Sequence, residues 1–393
     1  MNEVVIASTA RTPIGKLGGS LSSLSAVDLG ALAIAEALKR AGVAPDAVDH
    51  VIMGTVIAAG LGQVPARQAA IAAGLPMTVS ALTINKVCAS GLKAVNLAAQ
   101  MIRAGDADVV VAGGMESMSN APYLLDKARF GYRMGDASLA DAMMHDGLLC
   151  PVGHVAMHEY GSDVAAEFGI SREAQDAWAM TSQRRYQEAL EAGKIDDEMF
   201  VVRVPGKRGD SEYADCDEQP RPGTTLESLA RLKPLKPGGT VTAGNAPGVN
   251  DGAAALVVMS QARARQMGID PLAVFVAQGE ANAEPRYLHT VPALSLRAAA
   301  SRAGISESEI GLFEINEAFA AVTLTSMQLL NLDSDRVNVN GGAVALGHPI
   351  GMSGARILGT LALEMRRRNV PLGAAAICSG LAQGEATIVR LAS

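Results

Sequence analysis

The sequence predicts an α/β protein built from two related halves, and three observations carry that prediction. First, residues 37–54 and 299–316 align without a gap, with Arg40 on Arg302, Gly42 on Gly304, Val48 on Ile310 and Val51 on Phe313. Each copy reads as a helix stopped by glycine, a short connection and a buried strand. Second, residues 108–114 and 374–380 are matching runs of small apolar residues that end in glycine, the pattern of strands buried on both faces. Third, Ser90-Gly91-Leu92-Lys93 and Ser353-Gly354-Ala355-Arg356 each open a helix-like stretch. The shared order is helix, strand, strand, helix, strand, and internal duplication is its economical explanation.

Residues 120–249 have no counterpart in the second half. The division that follows is 1–119 with 250–270 as the first half, 120–249 as an insertion, and 271–393 as the second half. The insertion is richer in charge, Pro, Tyr and His than its surroundings. It contains a helix after Ser171 that stops near Gly193, then loops such as 205–210 and 234–239. A segment this long is expected to be a lid or ligand-binding subdomain whose Lys and Arg receive phosphate groups, or else a surface for oligomer contacts.

Composition excludes several functions. Lys plus Arg is 33 against 40 for Asp plus Glu, a net charge of −7, so the broad basic field needed for nucleic acid is absent. Aromatic residues are only 3% of the chain, too few for base-stacking platforms. Residues 1–7 read as a first strand, not a signal peptide, and no run of about 18 apolar residues suggests a membrane span. Cys88, Cys150, Cys216 and Cys378 form no C-x-x-C pair, so free thiols in a reducing cytoplasm are expected.

Chemistry concentrates at a few strand ends, where open α/β sheets place their sites. Cys88 lies between the strand-like 81–87 and a helix that starts near Gly91, so its sulfur meets the positive end of a helix dipole and free N–H groups. His348 follows the apolar stretch Val337–Val339, which reads as a strand, and falls just ahead of the position equivalent to Cys88. If the halves pack about a pseudo-twofold axis, this histidine reaches the same site and serves as a base for a thiol. Cys378 ends what reads as the last apolar strand, and Asn316 ends another.

Read together, residues 87–94, Asn316-Glu317-Ala318-Phe319-Ala320 and Asn340 through Arg356 resemble hallmark motifs of the thiolase family. Residues 10–15, 113–119 and 242–245 resemble others, and the likeness covers nearly the whole chain. It implies a five-layered αβαβα core of two duplicated halves with an inserted loop domain, assembled as a dimer or tetramer. It implies that Cys88 takes an acyl group as a thioester with His348 deprotonating its thiol, and that Cys378 moves the proton at the alpha carbon. Asn316 through a water, with His348, would hold one thioester oxygen, and the N–H groups of Cys88 and Gly380 the other. Met157, Ala243 and Phe319 are the implied substrate-channel residues.

The reaction so implied condenses two acetyl-CoA into acetoacetyl-CoA and CoA. Thiolysis of longer 3-ketoacyl-CoA in fatty-acid breakdown is the alternative. Substrates are then acetyl-CoA or 3-ketoacyl-CoA and CoA, with no separate cofactor and no metal, in a cytoplasmic homo-oligomer. The chain departs from the family at Ala89, Leu381 and Ala382, where glycine is commoner, at Pro247, where many members carry a serine against the pantetheine arm, at His158, and over 287–292.

Rival readings are weaker. His154 and His158, four apart with His145 and Cys150 nearby, suggest zinc, but no H-E-x-x-H and no carboxylate ligand accompany them. A ketoacyl synthase would need histidine where Asn316 stands. An inactive acyl-CoA carrier should have lost Cys88, His348 or Cys378. A purely redox role for the two thiols remains the third alternative.

Overall fold

The structure, a computed structural model, describes residues 2–206 and 211–392. Residues 207–210, part of the loop expected over 205–210, lie outside the described residues. The first half supplies strands β1 (Val4–Arg11), β2 (His50–Gly54), β3 (Ser80–Ile84), β4 (Val109–Ser117) and β5 (Asn250–Ser260). The second supplies β6 (Ala273–Asn282), β7 (Leu312–Ile315), β8 (Leu372–Ser379) and β9 (Gln383–Leu391).

Their order in space is β3-β2-β4-β5-β1-β6-β9-β8-β7, with a two-residue strand Gly15–Lys16 paired to β5 off this path. Apart from the edge strand β3, which has no counterpart, the order mirrors itself about the β1–β6 contact. β2 runs parallel to β3 and β4, while β5 runs antiparallel to β4 and β1. In the second half β7 is parallel to β8, and β9 is antiparallel to both β8 and β6. The halves are therefore joined through the short antiparallel ladder Val5–Val274 and Ile6–Ala273 into one hydrogen-bonded path.

Helices α1 (Ala26–Ala41), α2 (Ser90–Ala104), α3 (Met157–Glu167), α4 (Arg172–Glu191), α5 (Val291–Ala303), α6 (Ala320–Leu330) and α7 (Ser353–Arg368) surround it. Strand alternation explains the layering. In β4, Val110 and Ala112 face a central core built on α2 and α7, while Val109 and Val111 face an outer core built on α1. In β8, Ala375 and Ile377 join the central core, and Ala374 and Ala376 join an outer core with α5. The result is helix, sheet, helix, sheet, helix. It accounts for the unbroken apolar runs, because neither strand face meets water.

The duplicated stops behave alike. Gly42 and Gly304 end α1 and α5 in the left-handed region, at φ 65° and 69°, with matching carbonyl caps. The helix expected after Ser171 is α4, and Ser171 caps it by accepting from the Ala174 N–H. Two expectations need correction. Val337–Val339 is not a strand: only Val337 bridges Phe313, and Asn338 turns to φ 48°. The Asn338 amide explains this, since it bonds both N–H and C=O of Ile315 at 2.8 Å and replaces the missing ladder rung. Cys378 also does not end the last strand, because β9 returns beside it as a hairpin.

The insertion is fastened by buried charge. Arg11, on β1, pairs with Asp217 through both oxygens (2.8 and 2.9 Å) and with Glu198 at 2.8 Å. Glu317, just after β7, accepts from Trp178 and Ser182 of α4, from Asn338, and from the Val344 N–H. Buried charges persist when paired and fully bonded in this way.

The central helices meet backbone to backbone. A Cβ at Gly354 would sit 2.4 Å from Leu92 N, whereas one at Gly359 would meet the rotatable Thr9 Oγ1 at 2.3 Å. Gly354→Ala is therefore expected to destabilise by about 3 kcal/mol and Gly359→Ala by clearly less. Thermal denaturation of the two variants decides it, and equal losses would refute the backbone-contact account.

Candidate active site

The turn after β3 builds the first part of the site. Val87 stands at φ 45°, its N–H held by Asn85 Oδ1 at 2.9 Å. Ser90 accepts from the Lys86 N–H (2.8 Å) and donates to Val87 O (2.7 Å), closing the turn that presents Cys88 ahead of α2.

His348 is carried by the matching turn ahead of α7, where Asn250 Oδ1 accepts from its N–H at 2.9 Å. Its ring can be oriented by proton counting. Ser353 Oγ lies 2.9 Å from Pro349 O and 2.6 Å from Nδ1, and with its one hydroxyl proton given to the carbonyl it accepts from Nδ1. In that arrangement the neutral imidazole keeps its proton on Nδ1 and leaves the lone pair on Nε2, which has no partner among the described residues.

Cys88, His348, Cys378 and Gly380 line one cavity of about 280 Å3, together with Met157, Phe319, Leu288 and Ile350. The sequence-predicted groups from both halves are brought together. Asn316 and Ala243 are not among the lining residues. Asn245 accepts from the Thr242 N–H and donates to Asp176, which curls the chain so that Ala246–Val249 face the cavity and Ala243 a separate hollow. Asn316 is fully buried beside β8, its N–H bonded to Ala376 O, and neither side-chain polar atom has a partner among the described residues.

Burial controls the electrostatics. It pushes the Cys88 thiol up to about 12, offset in part by the N–H groups of Cys88 and Gly380 that face the sulfur, while the Glu116 carboxylate adds to the rise. Burial, then the Arg356 charge, pulls His348 down to about 3. Cys378 rises by burial and by the nearness of Cys88. These shifts favour two thiols and a neutral imidazole, although Cys88 itself opens partly to the cavity.

Sequence reasoning gave no role to Ser353, Asn250 or Glu116. Glu116 is buried and accepts from the N–H groups of Val56, Ile57 and Gly351 and from Thr55, joining the loop after β2 to the turn before α7. Burial lifts its carboxyl to about 7. Ser353 carried a signal, its match to Ser90 in the repeat, and Glu116 lies in the motif-like stretch 113–119, although nothing there indicated its role.

No three His, Cys, Asp or Glu side chains converge as a metal cluster among the described residues. His154 and His158 do not share a helical face, because α3 begins at Met157 and His154 sits in a turn at φ 54°. His158 lines the cavity, Cys150 is buried, and exposed His145 bonds Asp146 at 2.6 Å.

A family model described as Thiolase, N-terminal domain matches residues 4–262, and one described as Thiolase, C-terminal domain matches 269–391. The chain belongs to the thiolase family. An acetyl-CoA acetyltransferase of Cupriavidus necator is 52% identical over 391 residues, covering 99% of this chain and 100% of the relative. Relatives of the same name from Allochromatium vinosum and Escherichia coli K12 are 47% and 48% identical over 392 residues, each covering 99% of this chain and 100% and 99% of the relative.

A pair that is neutral at rest has a kinetic signature. Alkylation of Cys88 by iodoacetamide, located by mass spectrometry, is expected to accelerate about tenfold per pH unit across roughly pH 6 to 9, as thiolate grows in. A rate already level above pH 6 would mark a thiolate–imidazolium pair instead.

Proposed function

We propose that this thiolase is an acetyl-CoA C-acetyltransferase that condenses two acetyl-CoA into acetoacetyl-CoA and CoA, reversibly. The observation that carries the reading is the shared cavity, where two thiols and an Nε2 base meet between otherwise apolar walls. The full-length relatives named acetyl-CoA acetyltransferase point to the same chemistry.

In the proposed reaction His348 Nε2 takes the Cys88 proton as sulfur attacks the thioester carbonyl. The first CoA leaves as its thiol with the proton of Cys378, which is left as the thiolate. The acetyl group stays on Cys88, and His348 keeps the Cys88 proton until that sulfur is released. Cys378, as thiolate, removes a proton from the methyl group of the second acetyl-CoA. The carbanion attacks the acetylated sulfur's carbonyl, forming the new carbon–carbon bond and releasing Cys88. Charge collects on an oxygen at each step, so donors fixed beforehand lower the barrier most. The N–H groups of Cys88 and Gly380 already face the sulfur where one oxygen would sit. The unpartnered Asn316 amide, through a water, and His348 suit the other.

The nucleotide end of CoA needs a polar, partly cationic surface. A hollow of about 220 Å3 lined by Gln183, Gln219, exposed Arg221, Thr224 and Ser228 offers one. Its wall includes Ala243 and Gly244, on the same loop whose Ala246–Val249 border the cavity, so one ligand can span both. Self-assembly belongs to the same reading, supported by Phe130 and Met134, which are 88% and 98% exposed, and by Leu82 on the edge strand β3. So does a cytoplasmic homotetramer serving fatty-acid metabolism; no helix of the described chain is long and apolar enough to cross a membrane.

CoA-dependent thiolysis of 3-ketoacyl-CoA esters of increasing length tests the reading. Acetoacetyl-CoA is expected to be cleaved best, and Cys88→Ser to lose about a thousandfold or more. Faster cleavage of long chains would move the assignment to a degradative thiolase, and no cleavage with CoA still bound would indicate a carrier. Arg221→Ala is expected to raise KM for CoA about tenfold with kcat within threefold. An unchanged KM would remove the hollow from the CoA site.

A further inference from the structure

One residue beside the cavity is tied to both cysteine-bearing turns without being one of the reacting groups. Lys86 lies two residues before Cys88, and its N–H bonds Ser90 at the start of α2. Its carbonyl accepts from Ser379 Oγ at 2.5 Å, next to Cys378. Its ammonium crosses to the second half, 2.6 Å from Glu385 and 3.0 Å from Glu280. Glu385 sits on β9 directly opposite Ile377 of β8, one step from the Cys378–Gly384 pair. Its other oxygen accepts from Asn96 of α2 at 2.7 Å, and Asn96 in turn accepts from Thr387. Lys93 completes the cluster beside Glu280 and, at 3.9 Å, Glu385.

Stability alone does not account for this arrangement. The Glu385 side chain is 0% exposed and that of Lys86 only 12%. Such pairs are often replaced by apolar groups with no loss of stability, so a well-attested use is to fix register. Here the register is that between the two sulfurs. Val87 packs its side-chain carbons 3.3 Å from where a Cβ on Gly380 would lie, a contact without direction. The turn before Cys88 is therefore fixed on the β8–β9 hairpin by its polar anchors, the Ser379–Lys86 carbonyl bond and the Lys86–Glu385 pair.

We propose that Lys86 is a positioning residue, and that its pair with Glu385 sets the placement of the Cys88 sulfur against Cys378 and the Gly380 N–H. The inference rests on the proposed acetyl transfer for its kinetic consequence, but not for its chemical one. A displacement of about 1 Å in reacting groups is enough to slow a step about a hundredfold.

The test uses Lys86→Met, Lys86→Arg and the charge-balanced double variant Lys86→Met/Glu385→Gln, which keeps the proposal testable if the first does not fold. Each is followed by thermal melting, by acetoacetyl-CoA thiolysis and by the alkylation rate of Cys88. Lys86→Met and the double variant are expected to lose about thirtyfold or more in kcat with KM within threefold, and to shift Cys88 alkylation about tenfold, while Lys86→Arg stays within threefold of the parent. A double variant with the parent's kcat and alkylation rate would overturn the proposal, because charge balance alone would then suffice. So would a Lys86→Arg variant as impaired as Lys86→Met. If the parent chain shows no thiolysis, acetyl transfer fails, and the alkylation rates still decide the positioning role.

Discussion

Everything in the molecule depends on how closely α2 and α7 approach. A Cβ at Gly91 would lie 2.8 Å from Ala355 N, and one at Gly114 would lie 1.9 Å from Gly351 O. With Gly354 against Leu92, no side chain fits between the two helix starts. The turns that precede them are thereby forced into one place. One carries Cys88 and the other leads in from His348, so the convergence of these two residues on one cavity follows from the packing of small residues where the halves meet. The outer layers are conventional by comparison. They cover the remaining sheet faces with Leu, Val and Ala, and their helix caps repeat between halves.

A site built this deep is dominated by desolvation. Burial raises both thiols and lowers the imidazole, so no charge is stored before substrate arrives. The same burial makes fixed donors effective once charge develops. It also leaves penalties within the protein. Both polar side-chain atoms of Asn316 and Nε2 of His348 are buried without partners among the described residues, at about 1–3 kcal/mol per unsatisfied group. Core residues seldom retain such a loss, and in the proposed reaction substrate and water recover it.

The sequence carried the duplicated scaffold because its signals are local. A glycine stop after α1 or α5 and an apolar run in β4 or β8 depend on neighbouring residues alone. The pairing of Cys88, His348 and Cys378 was legible only through the repeat and the motifs, since their convergence is a tertiary fact. What escaped was set by side chains acting in place of backbone. Asn338 substitutes for a strand rung, which no hydropathy pattern can signal, so Val337–Val339 read as a strand. Asn245 curls its loop and turns Ala243 away from the cavity. Glu116, Asn250 and Lys86 bond partners 60 to 300 positions away, give or take a few, and such partners have no periodicity to reveal them.

The hairpin after Cys378 shows how the site manages strain. Leu381 and Ala382 stand at φ 61° and 49°, a left-handed pair that Asn and Gly normally occupy. Each costs about 1 kcal/mol or more, so the surroundings must dictate the conformation. They do so from three sides. Ala382 is fully buried and its carbonyl accepts from the Ala283 N–H at 3.0 Å. Ser379 is anchored to Lys86 O, and Val87 occupies the space beside Gly380. Val87 is itself left-handed, at φ 45°. Strained backbone from one half is thus braced against strained backbone from the other, and the Gly380 N–H that faces the Cys88 sulfur lies between them. Glycine at 381 and 382 would relieve the strain but would also free the turn. The bulkier residues trade some stability for a donor that stays aimed.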